Sequence, residues 1–224
     1  MGDKPARIDR HLGILMTLTF VTGALDAVGY LGLDRVFTGN MTGNIVILGM
    51  GLASEDQLPV AGPLAAFVAY MAGATAAGFL LRSNGARWTP RVTGVFAINA
   101  VVLTVTACLL AADAVRDQPF AVMGIAASIA LLMGAQAATA RTLAVADMTT
   151  VVVTSTITAF ASETLLQPGF AWLRHRRLWA IVAIFLGALI GALTMKWHVS
   201  VPVFGAAAVT AAVAAVGHRQ VRTT

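Results

Sequence analysis

Residues 37–49 read FTGNMTGNIVILG. The first eight of them hold two threonines, two glycines and two asparagines (Thr38, Gly39, Asn40, Thr42, Gly43, Asn44), and only nine apolar residues follow, Ile45 to Ala53, before Ser54-Glu55-Asp56. A helix crossing the hydrocarbon core of a bilayer needs ~20 residues. The run is too short to cross, yet it lies between two stretches that are long enough. It therefore predicts a re-entrant element, in which extended backbone dips toward the membrane centre and a half-helix near 42–53 climbs back out. Irregular backbone survives at that depth only where protein or a water-filled cavity surrounds it, which makes the stretch a candidate binding site.

Outward from it, the 224-residue chain is 58% hydrophobic and 11% charged, with a mean hydropathy of +0.82. Such a composition places it in the lipid bilayer. Six stretches can span: Leu12 to Leu33, Val60 to Leu81, Val92 to Ala112, Phe120 to Ala140, Leu178 to Met195 and Val199 to Gly217. The first follows Lys4, Arg7 and Arg10 as in a signal peptide, but its apolar run exceeds the roughly 7 to 15 residues of a signal h-region. It is expected to stay in the mature chain. The net charge of +5 sits in short clusters between apolar runs, so it reads as a topology signal and not as a nucleic-acid surface.

With a cytoplasmic N-terminus and two re-entrant runs, twelve of the fifteen basic residues fall inside: Lys4, Arg7, Arg10, Arg82, Arg87, Arg91, Arg141, Arg174, Arg176, Arg177, Arg219 and Arg222. Arg35, Arg116 and Lys196 remain outside. This positive-inside split predicts that both termini are cytoplasmic. Trp179 and Trp197 bracket the fifth span as interfacial anchors would.

The second half echoes the first. Val145 to Glu163, VADMTTVVVTSTITAFASE, is again threonine-rich and too short and polar for an ordinary span. Laying Val153-Thr154-Ser155-Thr156 on Met41-Thr42-Gly43-Asn44 brings Gly134-Ala135-Gln136-Ala137 near Gly23-Ala24-Leu25-Asp26, with one residue of slippage. Each half is then span, half-helix, span, span. Three crossings per half give the halves opposite orientation. The expected fold is thus an all-α integral membrane protein of six transmembrane helices in two inverted three-span repeats. Residues 1–112 form the first, with a half-helix near 42–53, and residues 113–224 the second, with a half-helix near 151–163.

The segment Thr22-Gly23-Ala24-Leu25-Asp26-Ala27-Val28-Gly29-Tyr30-Leu31, followed by Phe37 to Gly49, resembles the YoaK-like family of bacterial inner-membrane proteins. The resemblance covers essentially the whole chain and implies six spans; the family is a domain of unknown function. Its members usually carry a Gly-Leu-Gln-Asn-like segment in the fourth span. Here Gly134-Ala135-Gln136-Ala137 keeps the glutamine and replaces the asparagine by alanine.

Asp26 is the one formal charge well inside a span. A carboxylate at that depth faces the bundle interior or a cavity. It is either a proton-coupling or cation site or a structural acid, held by hydroxyls or paired with Arg35 or Arg141. Asn40, Thr42, Gly43, Asn44, Thr154 and Thr156 lie where the half-helices begin, and helix starts offer unpaired N–H groups to an anion or a neutral polar group. The competing reading is that these residues only cap their own helices. With Gln136 they make up the candidate substrate site. Gly187 and Gly191, and Ala74 with Gly78, are small-residue pairs suited to packing inside the bundle, or less readily to a homodimer face.

No enzyme constellation, metal-ligand cluster or cofactor motif stands out. Cys108 is the single cysteine, and Asp147 is expected too near the interface to form an acid pair with Asp26. The reading is a non-enzymatic transporter of a small polar or anionic solute, with the lipid bilayer and an unidentified solute as partners and no nucleic acid. The alternatives are a passive channel or a regulatory or scaffold membrane protein.

Overall fold

In the computed structural model, residues 4–53, 58–113, 118–143, 153–164 and 171–222 are described. Among them the chain is all-helical, in the order α1 (Lys4–Gly32), α2 (Met41–Ala53), α3 (Ala61–Leu81), α4 (Pro90–Ala111), α5 (Pro119–Thr142), α6 (Val153–Ala159), α7 (Arg176–Thr194) and α8 (Ser200–Arg222). A π-helical turn, Phe160–Thr164, continues α6, and a 3-10 turn, Ala171–Arg174, precedes α7. The long elements α1, α3, α4, α5, α7 and α8 are each long and apolar enough to cross a membrane, and they coincide with the six expected spans. Pro90 and Pro119 start α4 and α5 at the first helical position, where a missing N–H costs no hydrogen bond.

The six long helices alternate in direction. One end of the bundle gathers Leu15, Leu81, Trp88, Leu143 and Ala214 into an apolar cluster. This joins the early part of α1, the end of α3, the approach to α4, the end of α5 and the late part of α8. The opposite end gathers Leu33, Leu110, Ile125 and Val203, from the ends of α1 and α4 and the early turns of α5 and α8. The first helix therefore begins and the last helix ends on the same side.

Three helix pairs carry most of the packing: α1 with α7, α3 with α5, and α4 with α8. In two of them glycines let the backbones touch, the usual device where lipid removes the hydrophobic drive for helix association. A Cβ on Gly73 of α3 would collide with the Leu131 carbonyl of α5, and one on Gly134 of α5 with the Tyr70 carbonyl of α3. The α1–α7 pair does the same, Gly23 against the Ile184 carbonyl and Gly187 against the Phe20 carbonyl. Gly187 and Gly191 thus pack inside the bundle, as expected. On α3 the packed pair is instead Gly73 with Ala77, whereas Gly78 faces open space. The central helix is α1, 61% of whose apolar window is buried, against 22% for α3 and 17% for α7. Large apolar side chains such as Phe79, Ile98 and Phe185 point outward, an arrangement suited to a lipid surround. Trp179 and Trp197 are exposed beside the two ends of α7.

Between α1 and α3 the chain turns back on itself. Asp34 (φ 61) and Arg35 (φ 56) both lie in the left-handed region, and the N–H groups of Leu33 and Val36 both donate to the Gly29 carbonyl, at 3.1 and 3.2 Å. Gly29 is required there, since a Cβ would collide with the Val36 carbonyl. The backbone then returns alongside α1: Phe37 stacks on Tyr30 at 5.0 Å, and Gly39 lies against Thr22 and Asp26. From there α2 runs 13 residues, about 20 Å at the usual helical rise, until Gly51 packs on Leu58 to Val60. Gly62, at the start of α3, lies against Val36. The chain thus leaves α1 and joins α3 at one end of the bundle.

The second short element is an α-helix only over Val153–Ala159 before it widens into the π-turn. Residues 151 and 152 of the expected half-helix, and Asp147, lie outside the described residues. The start of α7 is tied to this element by Arg177, whose Nη1 donates to Glu163 Oε2 at 2.7 Å and to the Ala159 carbonyl and Thr164 Oγ1 at 3.2 Å each. Arg177 is buried at this junction.

Candidate functional site

Asp26 projects from α1 at the level where the returning backbone meets α2. Its Oδ1 accepts the N–H of Gly39 at 2.7 Å and of Thr38 at 2.9 Å, with a longer approach from Asn40 at 3.4 Å. The Thr38 hydroxyl adds a contact at 3.3 Å. These donors belong to a segment with no helical or strand partner of its own, so the carboxylate supplies the acceptor that burial demands. Among the described residues no cation pairs with Asp26, and its Oδ2 accepts no hydrogen bond. The pairing with Arg35 or Arg141 left open by the sequence is not what holds it.

Asn40 and Asn44 fix the start of α2 in different ways. Asn40 Oδ1 accepts the Gly43 N–H at 3.1 Å, a side-chain N-cap. Asn44 is buried and clamps Phe37 from both sides: its Oδ1 accepts the Phe37 N–H at 2.8 Å and its Nδ2 donates to the Phe37 carbonyl at 2.6 Å. Gly43 is where the Phe37 ring lies on the helix; a Cβ there would sit 2.7 Å from Phe37 Cδ2.

Beside this junction opens a cavity of about 880 Å³, walled by α1, α2, α3, α6 and α7. Of the residues singled out from sequence, Asp26, Asn40, Thr42, Gly43 and Thr154 line it. Both short-helix starts, Thr42 on one side and Val153 with Thr154 on the other, therefore face one space. Asn44, Gln136 and Thr156 do not line it. Asn44 is occupied by Phe37, and Thr156 is buried. Gln136, also buried, stands one layer behind, where Nε2 donates to Thr22 Oγ1 at 3.1 Å and approaches the Leu18 carbonyl at 3.4 Å. Its Oε1 is buried without a partner.

The cavity also takes in Thr22, Tyr30, Phe37, Tyr70 and Ile184, which sequence reasoning did not select. Thr22 and Tyr30 lie in the motif around Asp26, at spacings of four residues on either side. That spacing puts all three on one face of a helix, a signal that could have found them. Tyr70 and Ile184 had no comparable signal, being isolated in other apolar runs. Among the described residues no group of three or more histidine, cysteine or acidic side chains could hold a metal.

Six long apolar helices packed in one bundle define a multi-pass transmembrane protein. The chain belongs to the family described as "Protein of unknown function (DUF1275)", which it matches over residues 14–216. It is similar to the UPF0700 transmembrane protein YoaK of Bacillus subtilis (strain 168), with 33% identity over 151 residues. That match takes in 67% of this chain, and the chain spans 65% of the length of the curated relative. The resemblance to a YoaK-like family is thereby established. No solved structure matches the chain.

Proposed function

We propose that the protein carries a small polar solute across the membrane as a transporter, with its binding site in the cavity beside Asp26. The observation that carries this reading is the convergence of two short-helix starts, Asn40 to Gly43 and Val153 to Thr154, with an intramembrane carboxylate on one cavity of about 880 Å³. Discontinuous helices meeting at depth are how many transporters build a solute site. A scaffold protein has no use for such a cavity. The reading is of a non-enzyme without a cofactor.

The proposed architecture is two inverted repeats, α1 to α4 and α5 to α8, with α2 and α6 as re-entrant half-helices. In its support, exchanging the halves turns the α1–α7 pair into α5–α3 and leaves α4–α8 unchanged. The glycine contacts obey the same exchange, Gly23 on Ile184 answering to Gly134 on Tyr70, and Gly187 on Phe20 to Gly73 on Leu131. Re-entry of α2 is supported by Gly62 lying against Val36. The side holding both chain ends is proposed as cytoplasmic, from the twelve-to-three division of basic residues. Asp26 is the group proposed for proton coupling.

The test is blockade of the cavity from its two walls. Protein carrying Thr42→Cys or Thr154→Cys in a Cys108→Ala background is reconstituted into liposomes, and release of a mixed pool of small labelled solutes is followed before and after a bulky thiol reagent. Solute passage that both modifications stop supports the reading. Passage that persists after complete labelling at both positions overturns it.

A further inference from the structure

We infer that the solute is a small organic cation, a protonated or quaternary amine, held by the Asp26 carboxylate against the aromatic wall of the cavity. The inference rests on the reading of the cavity as a solute site and names the class of solute it accepts.

Most of the N–H groups that would attract an anion to the start of α2 are already engaged, that of Thr42 excepted. Thr38 and Gly39 donate to Asp26, Gly43 to the Asn40 side chain, and Met41 and Asn44 to the carbonyls of Gly39 and Asn40. An anion arriving there would meet the charge of the carboxylate that already holds Thr38 and Gly39.

Charge points the same way. Asp26 is the only charged residue among those described that line the cavity, and no lysine, arginine or histidine joins it. One oxygen of Asp26 holds the loop, and the other has no partner among the described residues. A carboxylate deep in a membrane protein with no counter-charge is costly, and a bound cation supplies that counter-charge.

The remaining wall selects among cations. Tyr30, Phe37 and Tyr70 are among its lining residues, with the Tyr30 and Phe37 rings stacked at 5.0 Å. Aromatic faces attract ammonium groups through their quadrupole. A small inorganic ion holds its hydration shell too tightly to trade it for rings, whereas an alkylated ammonium is weakly hydrated and carries apolar surface. At about 880 Å³ the cavity has room for such a group with part of its water.

The experiment uses the full chain in two assays with four probes: methylammonium chloride, potassium chloride, acetamide and sodium acetate. Thermal unfolding of the purified protein reads binding, and uptake into proteoliposomes reads passage. Methylammonium is expected to raise the melting temperature and to be taken up, while the other three do neither. Thr154→Lys, which puts a positive charge on the opposite wall without touching the Asp26 hydrogen bonds, is expected to weaken the methylammonium effect about ten- to hundredfold, as much as the loss of one hydrogen bond to a charged group. Tyr70→Leu is expected to weaken it less and to leave folding intact. Stabilisation or uptake by acetate or acetamide equal to that of methylammonium overturns the cationic assignment and leaves solute passage standing. An equal response to potassium overturns the organic part of it. Binding of methylammonium with no uptake of any probe leaves the cation site standing and removes the transport reading; no response to any probe in either assay removes both.

Discussion

Replacing Asp26 separates its structural work from its charge. Two short hydrogen bonds run to its Oδ1, from Thr38 at 2.9 Å and Gly39 at 2.7 Å; the approaches at 3.3 and 3.4 Å are too long to add much. Hydrogen bonds to a charged acceptor contribute about 1.5–3 kcal/mol each, so Asp26→Ala removes about 3–6 kcal/mol before relaxation. Asp26 is half-buried beside the cavity, so water can reach part of the vacated space and the lower end, about 3 kcal/mol, is expected. Asp26→Asn keeps an oxygen acceptor in place and loses only the charge assistance, about 1 kcal/mol per bond and so about 2 kcal/mol for the two. Reversible unfolding of the purified protein in mixed micelles of mild detergent and dodecyl sulfate measures both. Equal stability of the two variants, or Asp26→Ala within about 1 kcal/mol of wild type, would refute the assignment of Asp26 as the anchor of residues 38–40. The folded Asp26→Asn protein also tests proton coupling, because uptake that keeps its pH dependence in that variant discards the coupling role.

Other perturbations have equally definite outcomes. Gly73→Ala should destabilise by about 1–3 kcal/mol through overpacking against Leu131, while Gly78→Ala, five residues along the same helix and facing open space, should be neutral or slightly stabilising; thermal melts of the pair that coincide would contradict the α3–α5 packing. Asn44→Leu strands both polar groups of Phe37 and should cost about 2–6 kcal/mol, seen as a lowered melting temperature without any solute present, whereas unchanged stability would return Asn44 to the list of solute ligands. Ser83→Cys and Trp197→Cys, each in a Cys108→Ala background, should react with an impermeant thiol reagent from opposite faces of the membrane; reaction from one face would contradict the alternation of the six long helices.

The six long helices were legible from the sequence, because crossing a bilayer requires length and hydropathy, and both are properties of consecutive residues. So was the special character of residues 37–49, where small polar residues interrupt apolar surroundings in a run too short to cross. Asp26 stood out for the same reason, as a charge with no neighbours to excuse it. What the sequence could not decide was direction around each helix axis. Successive residues point about 100° apart, so Gly73 with Ala77 faces α5 and Ala74 lies beside Gly134, while Gly78, the second member of the expected pair, faces open space. Asn44 and Thr42 looked equivalent in the motif, yet one is consumed by Phe37 and the other faces the cavity. Tyr70 and Ile184 come from helices distant in sequence and reach the site only because glycines on α1 and α5 let α7 and α3 approach to backbone contact. That one Asp26 oxygen is spent on the loop while the other has no partner among the described residues is likewise a tertiary fact, set by where a left-handed turn at Asp34 and Arg35 returns the backbone against α1.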